Sequence, residues 1–182
     1  MAELQEDQIY QFRVTLKGIE PSIWRRFQFR GSDSFLALHL ALQAFMGWEN
    51  MHLYQFNVGQ IELTDAETAA EFGAHDAEAT SLQALVKGPE VSFRYLYDFG
   101  DSWEHDLFVE KLHPAEPGIV YPRCLAGQRA CPPEDCGGAW GYTYFLKDLA
   151  AGALEDSWGE EFDPEAFDVT LANQRLGWLF SR

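Results

Sequence analysis

The sequence lacks the catalytic motifs that spacing alone can identify. It has no G-x-x-x-x-G-K-[ST] phosphate-binding loop, no G-x-S-x-G nucleophile elbow, no H-E-x-x-H zinc helix and no strand followed by G-x-G-x-x-G. The glycine-rich run at 137–141, GGAWG, is typical of a tight turn rather than of a phosphate cradle. These absences argue against several large enzyme classes but leave open whether the chain is an enzyme.

Basic side chains are scarce. The chain has 13 lysines and arginines against 29 aspartates and glutamates, which gives a formal net charge of -16. Such a charge repels phosphate backbones, whereas nucleic-acid binding depends on lysine and arginine. We therefore do not expect nucleic acid as a partner. The expected partner is a protein or a small molecule. Five basic residues cluster early in the chain, as on the solvated face of a hairpin: Arg13, Lys17, Arg25, Arg26 and Arg30.

Long hydrophobic runs are also missing. The most apolar segment, FLALHLALQAFMGW at 35–48, is interrupted by His39 and Gln43 and is shorter than the roughly 20 residues that cross a bilayer. The first ten residues, MAELQEDQIY, have neither the basic nor the apolar region of a secretory signal. The sequence therefore predicts a cytoplasmic protein without membrane association.

Cysteine is limited to three residues, Cys124, Cys131 and Cys136. Three cysteines cannot all pair within one chain, and a cytoplasmic location disfavours disulfides. Their C-x6-C-x4-C spacing lacks the C-x2-C element of common zinc sites, although His113 could supply a fourth ligand. We interpret them as thiols in preference to zinc ligands.

Hydrophobic residues make up 47% of the 182 positions and aromatic residues 15%, which is enough to fill the core of one domain spanning 1–182. Alternating apolar and polar residues predict several strands, at 10–17, 23–30, 52–58, 91–99 and 103–112. The segment 35–48 has the spacing of an apolar helix, and further helices follow residue 138. We therefore expect an α+β fold: a mainly antiparallel sheet of about five or six strands, one apolar helix packed on a face, and C-terminal helices. The acidic, alanine-rich segment 62–80 is expected to be a mobile surface excursion.

Arg25 lies on the apolar face of the strand 23–30, together with Phe27 and Phe29. A buried cation without compensation is very costly, so this position predicts an ion pair. The expected partners are carboxylates from the motifs considered next: Asp98, Asp101 and Glu134.

The stretch YLYDFGDSWEH at 95–105 has the pattern of a hairpin turning at Gly100. A two-residue loop would split the apolar faces of its strands, whereas a three-residue loop at 100–102 keeps them together. The three-residue loop sets Asp98 directly opposite Glu104, with Asp106 alongside. Opposed carboxylates require a cation or a proton between them, so this hairpin is a candidate site.

Four strings resemble, in order and spacing, a bacterial family named after the third open reading frame of an Ri plasmid: LHLALQAFMGWENMHLYQF, YLYDFGDSWEH, YPRCLAGQRACPPEDCGGAWGY and EEFDPEAFD. The resemblance implies an α+β domain of unestablished biochemistry. Members are carried on plasmids and insertion elements, and some are labelled passenger proteins or resolvases. The family's motif positions fall here on Arg25, His39, Gly47, Trp48, His52, Asp98, Gly100, Asp101, Trp103, His105, Pro122, Cys131, Pro132, Glu134, Asp135, Gly137, Gly138, Gly141 and Tyr142.

The hairpin tip and the segment CPPEDCGG at 131–138 are expected to meet and form the functional surface. Prolines and glycines make that segment rigid while it presents two carboxylates. The candidate binding residues are Arg25, Asp98, Asp101, Trp103, Glu104, Cys131, Glu134 and Asp135. If a divalent metal binds, its expected ligands are His52, Asp98, Asp101 and His105.

Two functions of different classes remain open. In the first, favoured because aspartates at turns and histidines on apolar faces usually have structural roles, the chain is a binding or adaptor module with a rigid pocket. In the second, histidines and carboxylates of YDFGDSWEH and CPPEDCGG serve a metal-dependent hydrolase. A site-specific resolvase is the least supported, because it needs an activated serine among arginines and a basic DNA-reading module.

Overall fold

A single sheet forms the framework of the protein, in a computed structural model that describes residues 7–154 and 162–180. Its strands are β1 Gln8–Leu16, β2 Trp24–Arg30, β3 Tyr54–Val58, β4 Ile61–Thr64, β5 His75–Asp76, β6 Ser92–Tyr97, β7 Trp103–Pro114 and β8 Arg123–Gln128. Their order is β5-β4-β3-β6-β7-β1-β2-β8, with every pair antiparallel except β4 and β5. The helices are α1 Phe35–Met46, α2 Ala66–Phe72, α3 Leu82–Leu85, α4 Gly138–Ala151 and α5 Val169–Leu179.

The predicted α+β class, with a mainly antiparallel sheet, is confirmed. The sheet has eight strands within the described residues, more than the five or six expected, partly because the segment 62–80 is regular. It supplies most of β4, then α2 and β5, instead of the expected surface excursion. Asp65 caps α2 by accepting a hydrogen bond from the Thr68 amide at 3.0 Å, and Gly73 ends it in the left-handed region. The caps are local signals, which the acidic composition obscured.

The apolar helix α1 covers one face of the sheet, as its sequence predicts. Ser34 caps it by accepting from the Ala37 amide, and Gly47 ends it with a φ of 102°. His39 lies on its buried side, where Nδ1 contacts the Tyr95 hydroxyl at 2.8 Å and Nε2 contacts Asn50 Oδ1 at 2.7 Å. His39 is therefore a core histidine, and both of its ring nitrogens have the hydrogen-bond partners that a fully buried ring requires.

The hairpin between β6 and β7 turns through five residues, 98–102, rather than the three expected. Tyr97 pairs with Trp103, so Leu96 lies opposite Glu104 and the predicted opposition of Asp98 and Glu104 is wrong. The observed pairing is displaced by two residues from the predicted one, so each strand keeps the same side chains on its apolar face. The longer turn forms because Asp98 adopts a φ of 58° and its Oδ1 accepts from the Gly100 amide at 2.8 Å.

Arg25 is buried, as its position in β2 predicts, with 1% of its surface exposed. The predicted ion pair with Asp98, Asp101 or Glu134 is wrong, since Arg25 pairs with no carboxylate among the described residues. Its Nε donates to Phe45 O at 2.8 Å, and its Nη1 donates to Trp24 O at 2.8 Å and Gln128 O at 3.0 Å. Carbonyl dipoles therefore replace the expected anion, and the Phe167 ring lies 4.0 Å from its Cζ.

The last helix, α5, packs against α1 and along β8. Its N-cap is Asp168, which accepts from the Leu171 amide at 3.0 Å. Upstream of it, Asp163 closes a turn in which its Oδ1 accepts from the Glu165 amide at 2.9 Å. The side-chain amide of Asn173 contacts both backbone polar groups of Cys124 in β8, at 2.8 and 3.0 Å. In the string EEFDPEAFD, residues 160 and 161 lie outside the described residues, as do positions 1–6, 155–159 and 181–182 of the predicted domain.

None of the helices within 7–154 and 162–180 combines the length and the apolar character that crossing a membrane demands.

We predict that Gly127→Ala destabilises the fold by about 1–3 kcal/mol, because the added methyl group overpacks a closed contact. A Cβ at this position would lie 2.5 Å from Cε1 of Phe167 and 2.7 Å from Cδ of Arg25. Urea unfolding followed by circular dichroism measures the change.

Gly177→Ala is the matched control for that substitution. No atom lies within 4 Å of a Cβ built at Gly177, which is inside α5. Replacing a helical glycine by alanine should stabilise the chain by about 0.5–1 kcal/mol. Equal effects of the two substitutions would contradict the packing of Phe167 on Arg25.

Candidate functional site

The tip of the β6–β7 hairpin meets the segment 131–138, as the sequence predicts. Asp101 Oδ2 accepts a hydrogen bond from the Gly137 amide at 3.0 Å. Gly138 follows with a φ of 68°, and a Cβ at this residue would lie 2.5 Å from the Asp101 carbonyl oxygen. The backbones approach so closely that only glycine fits there, and the two loops are fixed against each other.

Asp98 organises the hairpin side of the junction. Its Oδ1 accepts from the amides of Gly100 at 2.8 Å and Asp101 at 3.3 Å, and its own amide donates to Leu53 O at 2.9 Å. The residue is 6% exposed. Because Oδ1 is used by the turn, Oδ2 is the oxygen that Asp98 presents to His52, at 3.6 Å from its Nε2.

Glu134 is held from two sides. Its Oε1 accepts from the Glu49 amide at 2.9 Å and from the Tyr97 hydroxyl at 3.1 Å. Tyr97 in turn stacks on Trp48 with ring centroids 4.9 Å apart, and Trp48 Nε1 donates to Pro132 O at 3.0 Å. Burial raises the pKa of Glu134, an effect that these hydrogen bonds oppose.

His52 is the point on which the carboxylates converge. Its Nε2 lies 3.0 Å from Asp135 Oδ1, 3.6 Å from Asp98 Oδ2 and 3.8 Å from Glu134 Oε2. This nitrogen is buried and makes no hydrogen bond. Its 3.0 Å contact with Asp135 is short enough for an ion pair but does not have the geometry of a hydrogen bond. One nitrogen and two oxygens, from His52, Asp98 and Asp135, lie within 4.8 Å of one another. In the described chain this is the one group of three or more such side chains close enough to share an ion.

The arrangement concentrates negative charge beside one imidazole. Opposed carboxylates repel unless a proton or a cation lies between them. The cluster is also open to solvent on one side, because the Asp135 side chain is 70% exposed whereas that of Asp98 is 9% exposed. The site therefore has a rigid inner wall and an accessible outer carboxylate.

The structure brings five of the predicted site residues together: His52, Asp98, Asp101, Glu134 and Asp135. Arg25, Trp103 and Cys131 lie elsewhere, within or against the core. Glu104 projects from the other face of the hairpin and forms an ion pair with Lys17 at 3.1 Å.

The prediction that His105 is a metal ligand is wrong. It is fully buried, its Nδ1 contacts Tyr95 O at 3.3 Å, and Trp48 packs edge-on against its ring. The sequence correctly predicted that His105 lies on the apolar face of its strand. His105 pairs with Tyr95, however, and two residues separate Tyr95 from the turn that carries Asp98. His105 is therefore a core residue.

The three cysteines form no disulfide. Burial raises the pKa of Cys124 to about 11 and of Cys136 to about 12, so both are protonated at neutral pH. His113 forms no metal-ligating group with them among the described residues; its Nε2 accepts from the Gln28 side-chain amide at 2.9 Å. The alternative of a cysteine and His113 zinc site is not supported among the described residues.

Tyr97 is the site residue that the sequence did not reveal. Its ring fills the core, but its hydroxyl donates to Glu134 and accepts from the Met51 amide at 3.0 Å. The available signal was a tyrosine rather than a phenylalanine at a buried strand position just before Asp98. A buried hydroxyl usually has a partner, and here that partner orients a carboxylate.

Comparison with known proteins gives three findings. A family model described as plasmid pRiA4b ORF-3-like protein matches residues 8–171. The uncharacterized protein y4hQ of Sinorhizobium fredii is 40% identical over 182 residues, with 96% of this chain and 93% of that protein covered. The crystal structure of a protein of unknown function from Methanosarcina mazei Go1 superimposes with a TM-score of 0.80 at 34% identity, covering 91% of this chain and 97% of the other.

We predict that the two buried histidines make the fold acid-sensitive. Burial lowers the pKa of both His39 and His105 to about 4, from an ordinary 6.5. Between these values the unfolded chain binds protons that the folded chain does not, so stability is lost as the pH falls from 6.5 towards 4. Each histidine should contribute a slope of up to about 1.4 kcal/mol per pH unit.

The measurement is urea unfolding at pH 7 and pH 5, with ring titration by NMR. His105→Gln should show a smaller loss between the two pH values than the unchanged chain. Rings of His39 and His105 that titrate near pH 6.5 in the folded protein would contradict their burial.

Proposed function

The chain belongs to the plasmid pRiA4b ORF-3-like family, and we propose that it is a binding module whose site holds a divalent metal ion. The ion lies between the hairpin turn 98–102 and the segment 131–138, with His52, Asp98 and Asp135 as ligands. Glu134 stands beside them as a third carboxylate. The ion then forms the anchor to which an oxygen-bearing partner or small molecule attaches.

The observation that supports this proposal is the buried Nε2 of His52, which has no hydrogen bond although three carboxylates surround it. A buried polar atom without a hydrogen bond is rare and costly. A protonated imidazole could satisfy one carboxylate but not all three. A divalent cation near the centre of the group would neutralise two charges and give the nitrogen a ligand bond.

The ligand set favours Mn²⁺ or Zn²⁺ over Mg²⁺ and Ca²⁺. Carboxylates alone suit the hard cations, whereas an imidazole nitrogen shifts preference towards transition metals. Ligand bonds of about 2.0–2.2 Å place neighbouring ligand atoms about 3–4 Å apart, close to the observed separations. Small side-chain movements of the exposed Asp135 would close the difference.

The rigidity of the junction also supports a binding role. The Asp101 contact with Gly137 and the glycine at 138 fix the two loops, and Tyr97 fixes Glu134. Sites whose side chains are held before the ligand arrives bind without an ordering cost. Such a scaffold serves recognition as well as it serves catalysis.

A metal-dependent hydrolase is the second candidate, and one observation favours it. Glu134 has a raised pKa and lies 3.8 Å from His52 Nε2, next to the proposed ion. A metal ion lowers the pKa of a bound water, and a neighbouring carboxyl group with a raised pKa can accept and return its proton. The exposed side at Asp135 would admit that water.

We predict that untagged protein, freed of metal with EDTA and dialysed, binds one Mn²⁺ or Zn²⁺ ion in calorimetric titration. His52→Gln and Asp135→Asn should each weaken binding by about tenfold or more, because each removes a ligand. His75→Gln is the matched control, since His75 is exposed and outside the cluster. Equal affinities for His52→Gln and His75→Gln, or no binding at all, would refute the metal site.

A second prediction separates the two candidate functions. The metal-loaded binding module should leave p-nitrophenyl phosphate and p-nitrophenyl acetate unhydrolysed above the rate of free metal. Metal-dependent turnover that Glu134→Gln abolishes, with metal affinity retained, would favour the hydrolase instead.

A further inference from the structure

A groove of about 590 Å³ lies outside the proposed metal site, between the end of α1, the segment 130–134 and residues 162–175. We call it the Arg25 groove. Most of its wall is apolar, formed by side chains such as Phe45, Trp48, Pro132, Phe167 and Leu171. Its volume falls in the range of small-molecule sites, roughly 300–1,000 Å³.

Arg25 gives the groove a buried cation that has no counter-ion among the described residues. Its Nε and Nη1 donate to three carbonyl oxygens, while its Nη2 has no hydrogen bond to any described residue. Phe167 covers one face of the guanidinium, leaving its edge for a further acceptor. Carbonyl oxygens orient a guanidinium, but they do not neutralise its charge.

Arg175 supplies a second cation to the same groove. It projects from α5 across Gly47, where a Cβ would lie 2.6 Å from its Nη1. It forms no ion pair with the described carboxylates. In a chain of net charge -16, two arginines that line one groove and form no ion pair within 7–154 and 162–180 stand out from the general charge balance.

Two carboxylates also line the groove, and both are already engaged. Glu134 Oε1 accepts from the Glu49 amide and the Tyr97 hydroxyl, which hold it towards the hairpin. Asp168 Oδ1 caps α5 at the Leu171 amide. Neither forms an ion pair with Arg25 or Arg175, so no carboxylate of the described residues neutralises either cation.

We propose that the Arg25 groove binds an organic carboxylate with an apolar body. The carboxylate pairs with Nη2 of Arg25 and the guanidinium of Arg175, and the body packs on the ring of Phe167 and the apolar wall. A monoanion fits better than a phosphate ester, because Glu134 and Asp168 at the rim repel a second negative charge. The groove shares Glu134 with the proposed metal site, but the carboxylate can bind there without a metal ion.

The test uses the full chain in EDTA, titrated by calorimetry with 4-phenylbutyrate and octanoate and with their primary amides. The acids should bind about tenfold or more tightly than the amides, because only the acids form charge-assisted pairs with arginine. Arg175→Gln, on the accessible side of the groove, should remove most of this difference. Arg94→Gln is the control, since it makes the same charge change at an exposed position of β6.

Two further measurements keep the test decisive. In NMR spectra, binding of the acid should change the chemical shifts of the Trp48 indole, which lines the groove. In calorimetry, 4-phenylbutyl phosphate should bind more weakly than the carboxylate. Failure of both acids to bind, equal binding of acids and amides, or unchanged binding in Arg175→Gln would each overturn the proposal. Metal titration of Arg175→Gln should match that of the unchanged chain, so either site can fail without the other.

Discussion

The buried guanidinium of Arg25 is the contact on which the arrangement of the molecule depends. It starts from β2, donates to the end of α1 through Phe45 and to the end of β8 through Gln128, and carries Phe167 on its face. Four parts of the chain that are distant in sequence meet around one side chain. Because β8 leads directly into the segment 131–138, the position of β8 also sets where the carboxylates of that segment approach the hairpin.

Sequence patterns located most of the framework, since alternation identified β1, β2, β6 and β7 and periodicity identified α1. They also placed Arg25 inward and brought the hairpin tip to the segment 131–138. Two of the errors share a physical origin. The role of His105 and the partners of Arg25 depend on contacts to distant backbone groups, which carry no side-chain identity in the sequence. The turn after Tyr97 was predicted too short because its length depends on the positive φ of Asp98 and on its hydrogen bond with the Gly100 amide, which alternation does not report. β4, α2 and β5 were missed because short elements with local caps have little periodicity.

Glu134 connects the two sites that the fold presents. Its carboxylate stands beside His52 at the junction of the loops, and the same residue lines the Arg25 groove. Tyr97 and Trp48 lie between them, with stacked rings. A change in the ionisation of Glu134 would alter the electrostatic potential at both sites. Through this one titrating group, the two sites are electrostatically coupled.

Asn173 has a consequence for how this protein can meet others. By satisfying both backbone groups of Cys124, its amide imitates a neighbouring strand at the outer edge of β8. At the opposite edge β5 has only two residues and runs parallel to β4. Addition of a partner strand, the commonest route by which edges recruit peptides or aggregate, finds little template at either end.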